Sequence, residues 1–326
     1  MSISEAAIFL IILMILEMAY FKLAGKLGIM DKPGNRTMHE GQTIRGGGIV
    51  FYLGVLLYHL FNPVFSWYFI FAVSLLAVVS FVDDLKNLPS LWRFFIQFFS
   101  VSLIAYDTGY FSMYPVTGII LIIVFTGVLN AYNFMDGING MTGGYSLVTV
   151  VVLWFINQYH LAFIKGEFLI AMALALVVFN FFNFRKKAIC FAGDIGAMTI
   201  AFIIIYALLN LMYITKNPIW ILFLTIYGID TVITILQRLR VGENIFVAHR
   251  MHLYQIGIYK GGWSHLRMST TYALVQLCIN IIIIWAVFYT DQIMILWLTG
   301  ILILLSATVV YVYLKFFLLR TTQTKS

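Results

Sequence analysis

Apolar residues run along this chain in long blocks separated by short polar segments. The blocks do not alternate with period two, so they predict helices rather than the strands of a membrane barrel. A membrane-crossing helix needs roughly 20 apolar residues. Eleven runs approach that length: 4–22, 47–61, 64–82, 94–108, 115–131, 141–158, 167–183, 195–213, 218–236, 268–288 and 292–314. Only Asn62 and Pro63 part the second from the third. The first residues carry no basic region and no small-residue cleavage site follows, so the opening run is expected to be a retained span. No repeat or soluble insertion stands out, and residues 1–326 read as one integral membrane domain, all-α and polytopic.

Composition agrees. The chain is 62% hydrophobic and 10% charged, with a mean hydropathy of +0.97. Soluble domains carry about 25% charged residues, so a soluble enzyme, a disordered chain and a disulfide scaffold are all excluded. Two cysteines, Cys190 and Cys278, make neither a disulfide framework nor a thiolate metal site. The net charge of +7 matters less than its placement. With the N-terminus outside, 18 of the 20 Lys and Arg residues fall on the inner side, and only Lys165 and Lys216 on the outer. The expected topology is N-out and C-in, and no nucleic-acid partner is implied.

The polar residues gather in five motifs, each at an inner helix end or loop. The first holds Asp83, Asp84 and Lys86. Adjacent carboxylates repel, so a cation is expected beside them, either a metal or Lys86. In the second, Asn130, Asn133 and Asp136 recur every third residue along one helix face, followed by Gly137 and Asn139. Amides that only glue helices together are the alternative, but glue does not need the Asp136-Gly137 turn, where the backbone opens to a ligand. The third, Gly193-Asp194-Ile195-Gly196, follows Arg185-Lys186-Lys187. Asp194 stands where it would cap the next helix, a sufficient structural reason for it. The fourth, His249-Arg250-Met251-His252, puts two imidazoles beside a guanidinium. It lacks the Glu of a zinc-protease motif and suits phosphate better. The fifth contains His39, Arg45 and Gly46-Gly47-Gly48, which suggests a backbone nest for an anion. Asp230 stands apart inside a span, with Arg238 and other helices as its candidate partners. Such a residue costs about 3 kcal/mol at mid-membrane.

Carboxylates and basic groups at one membrane face suit a divalent metal with a phosphorylated substrate. Mg²⁺ commonly takes one or two carboxylates, waters and substrate phosphates. Two phosphates cannot meet in line without a metal and a basic clamp, because each unit charge pair at about 5 Å is worth roughly 3 kcal/mol.

The five motifs, in this order, resemble the polyprenyl-phosphate N-acetylhexosamine-1-phosphate transferase family over roughly residues 31–267. The resemblance implies ten or eleven helices and an active site at the cytoplasmic face of the bacterial inner membrane. It implies transfer of an N-acetylhexosamine-1-phosphate from a UDP-sugar to undecaprenyl phosphate, with release of UMP and dependence on Mg²⁺ (or Mn²⁺). Beyond the two substrates and the bilayer, a homodimer is compatible with it. Residue by residue, it makes Asp83, Asp84, Lys86, His249, Arg250 and His252 catalytic. Asp194, Asp84 and Asp136 become metal ligands. His39, Arg45, Asn130, Asn133, Asp136, Asn139 and Asn183 become substrate-binding.

Three departures from the family pattern stand out. Asn139 replaces a second Asp, Ala197 replaces a small hydroxyl residue, and Arg-Lys-Lys replaces a Pro-rich stretch. The absence of three consecutive His favours the subgroup that initiates O-antigen, capsule or exopolysaccharide over a peptidoglycan-type phospho-N-acetylmuramoyl-pentapeptide transferase. A secondary transporter, the reading from another class, would need inverted repeats and broken helices at mid-membrane, and the sequence has neither.

Overall fold

A computed structural model describes residues 1–31, 43–244, 250–290 and 292–323. Its helices are, in chain order, α1 (Ile3–Leu27), α2 (Ile49–Phe61), α3 (Trp67–Lys86), α4 (Ser90–Asp107), α5 (Tyr110–Met113), α6 (Pro115–Met135) and α7 (Met141–Tyr159). They continue with α8 (Gly166–Asn183), α9 (Gly193–Thr215), α10 (Thr225–Arg240), α11 (Leu253–Tyr259), α12 (His265–Phe288) and α13 (Ile293–Gln323). A 3-10 helix, Pro218–Leu224, runs directly into α10. Each of the eleven apolar runs therefore has helix over most of its length.

Eight helical segments among the described residues are long and apolar enough to cross a membrane, fewer than the eleven expected. The difference has a composition behind it. Helix α2 is apolar but only 13 residues long. Helix α4 carries Arg93, Gln97 and Asp107, and α7 carries Gly143, Gly144, Asn157 and Gln158. Among the described residues, the strand pairing is a two-residue antiparallel pair, Met30–Asp31 with Thr43–Ile44. Ile44 also bridges to Cys190.

Helix ends follow local chemistry. Ser2 and Glu5 form a capping box on α1, and Gly28 closes that helix in the left-handed conformation. Ser66 caps α3 and Ser264 caps α12. Pro115 opens α6, where its missing N–H costs nothing.

Helix α9 is the axis of the bundle. It is buried along almost its whole length and is packed by α2, α3, α4, α5, α6, α7 and the 3-10 helix. The outermost helices, α1 and α13, are mostly exposed. Lipid is as apolar as a leucine face, so polar bonds and close packing must join such helices. Asn130 Nδ2 donates to Gln97 Oε1 at 2.7 Å, joining α6 to α4, and Gln97 Nε2 reaches Met198 Sδ on α9. Gln276 of α12 mends the junction between the 3-10 helix and α10. Its Oε1 accepts from Ile226 N, and its Nε2 donates to the Leu222 carbonyl.

Candidate active site

The last turn of α3 delivers Asp83 and Asp84, both buried, to the start of α9. The Asp84 carboxylate accepts the backbone N–H of Asp194 at 3.0 Å and of Ile195 at 3.0 Å. It also accepts Arg45 Nε at 2.8 Å. Asp84 thus caps α9 from another helix, at the end where the helix dipole favours an anion. The expectation that Asp194 is the cap is corrected. Asp194 sits within the first turn, and the N-cap position is Ala192, which offers no side-chain bond. With its backbone held by Asp84, Asp194 keeps its own carboxylate for other work.

The expected anion nest at Gly46–Gly48 is also corrected. The Gly47 and Gly48 amides donate to the carbonyls of Phe191 and Ala192, so they are already used. These glycines serve close approach. A Cβ on Gly48 would lie 2.3 Å from Gly196 Cα. A Cβ on Gly193, whose φ is +69°, would lie 2.7 Å from Asp84 Oδ2. Two backbones meet here so that Arg45 can reach Asp84.

Arg93, on the first turn of α4, donates through Nη1 to Asp83 Oδ2 at 2.7 Å and lies 3.7 Å from Asp194 Oδ2. Asp83 also accepts Leu88 N at 2.6 Å, which shapes the turn between α3 and α4. The carboxyls of Asp83 and Asp194 thus face each other across the same Arg93 nitrogen. Asp136, just past the end of α6, faces Thr142 and the Gly193 amide. Burial is the main force raising its carboxyl to about 7, helped by the charge of Asp84 and opposed by the polar groups of Thr142 and Gly193 nearby and by Arg45.

The cations beside the Asp pair are therefore Arg45 and Arg93, while Lys86 is exposed at the helix end. Four carboxylates, of Asp83, Asp84, Asp136 and Asp194, meet two guanidiniums, and full ionisation leaves two negative charges in excess. Among the described residues no three His, Cys, Asp or Glu side chains form a complete metal cage. A magnesium ion does not require one. The facing pair Asp83–Asp194 and the doubly negative balance fit a divalent cation. Asp84, expected among the ligands, instead spends its oxygens on two amides and Arg45.

The fourth motif comes to the same end of the bundle. Tyr254 Oη donates to the Phe134 carbonyl at 2.9 Å, on the last turn of α6 beside Asp136. His252 is buried with its ring near Phe134. Arg250 is exposed, its guanidinium 4.7 Å above the Tyr259 ring. His39 and His249 lie outside the described residues. Asn133 is partly buried on the same turn of α6.

The other amides hold loops. Asn139 Nδ2 donates to the carbonyls of Arg185 and Lys186. Asn183 Oδ1 accepts Gly140 N at 2.7 Å, and its Nδ2 donates to the Cys190 carbonyl. Asn130 is the bridge between α4 and α6 described above, which is the helix-gluing reading.

Asp230 does not pair with Arg238. Arg238 binds Glu243 and the Asn244 carbonyl, and Asp230 meets His252 at 3.0 Å. Sequence reasoning counted Arg93 only among the basic residues of the inner side and gave it no role. The signal available was its place ten residues after Asp83, across a Pro89 turn that folds α4 back along α3.

The model of glycosyl transferase family 4 matches residues 66–212. That stretch runs from the start of α3 into α9 and contains Asp83, Asp84, Arg93, Asp136 and Asp194. The chain is 28% identical to the undecaprenyl-phosphate alpha-N-acetylglucosaminyl 1-phosphate transferase of Escherichia coli (strain K12), over 74% of this chain and 72% of the relative. It is 26% identical to the probable undecaprenyl-phosphate N-acetylglucosaminyl 1-phosphate transferase of Bacillus subtilis (strain 168), over 76% of this chain and 74% of the relative. A Yersinia pestis protein named like the first is 27% identical over 78% and 77%.

Proposed function

We propose that this chain, a member of glycosyl transferase family 4, moves an N-acetylhexosamine-1-phosphate from a UDP-sugar to undecaprenyl phosphate and releases UMP. The observation that carries the reading is the cluster at the start of α9, where Asp83 and Asp194 face each other under Arg93 while Asp84 and Arg45 brace the helix end. The product would begin an O-antigen, capsule or other cell-surface polysaccharide. The topology that goes with it is eleven crossings, N-out and C-in, with the cluster at the cytoplasmic face of a bacterial inner membrane.

Two anions must approach within bonding distance. Arg93 and Arg45 are each about one-third exposed at the side chain, open enough to meet a phosphate. A guanidinium carries five donors, and Arg93 turns only Nη1 to the carboxylates. Nε is buried, but Nη2 suits phosphate oxygens and offsets the repulsion between acceptor and donor. Asp83 and Asp194 would hold Mg²⁺ (or Mn²⁺), which when bound neutralises charge on the diphosphate and the departing UMP. Asp83 also fixes Arg93, so the same carboxylate orients the clamp. Asp136 lies on the nucleotide side of the cluster, and His252 and Arg250 approach from the loop above α6.

The reaction is a single displacement. An oxygen of the lipid phosphate attacks the phosphorus that bears the sugar, and the bond from that phosphorus to the UMP oxygen breaks. No side chain carries the phosphoryl group.

The test is to incubate the purified protein in lipid with undecaprenyl phosphate and each of several UDP-N-acetylhexosamines, following UMP release and the mass of the lipid product. One sugar is expected to give UMP and a lipid-linked sugar diphosphate in equal amounts. No UMP with any sugar would refute the reading. A phosphorylated protein trapped in the absence of lipid would refute the single displacement.

A further inference from the structure

Asp230 lies on α10 within a membrane-crossing segment and is fully buried. Its Oδ1 meets His252 Nδ1 at 3.0 Å and accepts the Leu253 amide at 3.2 Å and the Tyr311 hydroxyl at 3.0 Å. Its Oδ2 accepts the Tyr272 hydroxyl at 2.7 Å. One carboxylate thus collects donors from the His252 loop and the first turn of α11, from α12 and from α13. A second layer closes it: Lys315 of α13 donates to Thr234 Oγ1 and to Tyr311 Oη, each at 3.1 Å.

Stability alone gives little reason for such a knot. Buried ionic groups can commonly be replaced by packed apolar residues without loss, because desolvation consumes the Coulombic gain. What apolar packing cannot supply is direction. The carboxylate sets the plane of the His252 ring, turns Nδ1 toward α10 and satisfies the first amide of α11. Tyr254, two residues on, is then placed to bond the Phe134 carbonyl beside Asp136.

We infer that Asp230 is a positioning residue for the transfer: it holds the loop bearing Arg250 and His252 over the Asp136 end of the cluster, with Tyr311 of the last helix as its brace. The inference rests on the transferase reading and adds to it a role for α10 and α13, both outside the stretch that the family model matches.

The test uses the full chain in lipid, with kinetics for UDP-sugar and undecaprenyl phosphate measured separately. Asp230→Asn keeps the size of the side chain and removes its charge. It is expected to lower kcat by about tenfold or more, leaving the KM for undecaprenyl phosphate within twofold. Tyr311→Phe should lower kcat less, in the same direction. Arg250→Ala supplies the second arm. If Asp230 acts through the loop, Asp230→Asn adds no further loss on the Arg250→Ala background.

A folded Asp230→Asn protein with normal kcat would overturn the inference, as would losses that multiply in the double variant. Should Asp230→Asn fail to fold, Tyr272→Phe and Tyr311→Phe decide, and unchanged kcat in both overturns it. An active wild type with an indifferent Asp230→Asn refutes the positioning alone. A wild type that makes no UMP refutes the transferase reading and this inference with it.

Discussion

Asp84 on α3 and Asp194 on α9 are joined side chain to backbone, not carboxyl to carboxyl: the Asp84 carboxylate accepts the Asp194 amide at 3.0 Å. One aspartate therefore builds the site while the other is left to serve in it.

Asp84→Ala should remove the cap of α9 and strand Arg45 beside an empty pocket. The expected cost is about 2 kcal/mol or more, seen as a lowered Tm in detergent. Asp84→Asn keeps one acceptor oxygen and should lose less. Equal Tm values for Asp84→Ala and the wild type would remove Asp84 from the capping role.

Asp194→Asn should abolish turnover at saturating Mg²⁺ while Tm stays near that of the wild type, because Asp194 caps nothing. The thermal shift caused by Mg²⁺ alone should also shrink. Near-normal turnover in this variant would take Asp194 out of the metal site.

Asp136 sets a pH dependence. Its carboxyl is raised from 3.8 to about 7 in the folded protein. The folded state therefore holds this proton more tightly than the unfolded chain does. The stability it contributes is complete below about 4 and is lost as pH rises through about 7. Metal-free protein should lose Tm between about pH 4 and pH 7 and level off above, and Asp136→Asn should flatten that slope. A slope unchanged in the variant would assign it to another group. If the ionised form serves turnover, activity should fall as pH drops through the same range.

Gly48→Ala places a methyl group where Gly196 Cα already sits, 2.3 Å away. Backbone on both sides leaves little room to yield, so a loss of about 1–3 kcal/mol is expected. The same change should weaken activity by moving Arg45 from Asp84. A stable, active Gly48→Ala protein would show that α2 and α9 can part without harm.

The helices were legible in the chain because a bilayer leaves an unpaired backbone no alternative. Long apolar runs must coil into helix, and each of the eleven did over most of its length. The participants in the cluster were legible too, since Asp83, Asp84, Asp136 and Asp194 are costly residues in so apolar a chain. Their division of labour was not. Capping is local chemistry when read along a sequence, and Asp194 looks like its own helix's cap; only the packing of α3 against α9 puts Asp84 there first. The same holds for the glycines at 46–48, whose amides were open to an anion until the chain near Cys190 came alongside. Arg93 and the Asp230–His252 pair were hidden for a further reason. Their partners lie on separate helices, and hydrophobic periodicity reports that a helix faces something without reporting what. Local composition determined which segments are helices in a membrane and which side chains must find partners. The tertiary arrangement alone decided which partners they found, because those contacts depend on how helices distant in sequence are rotated against one another.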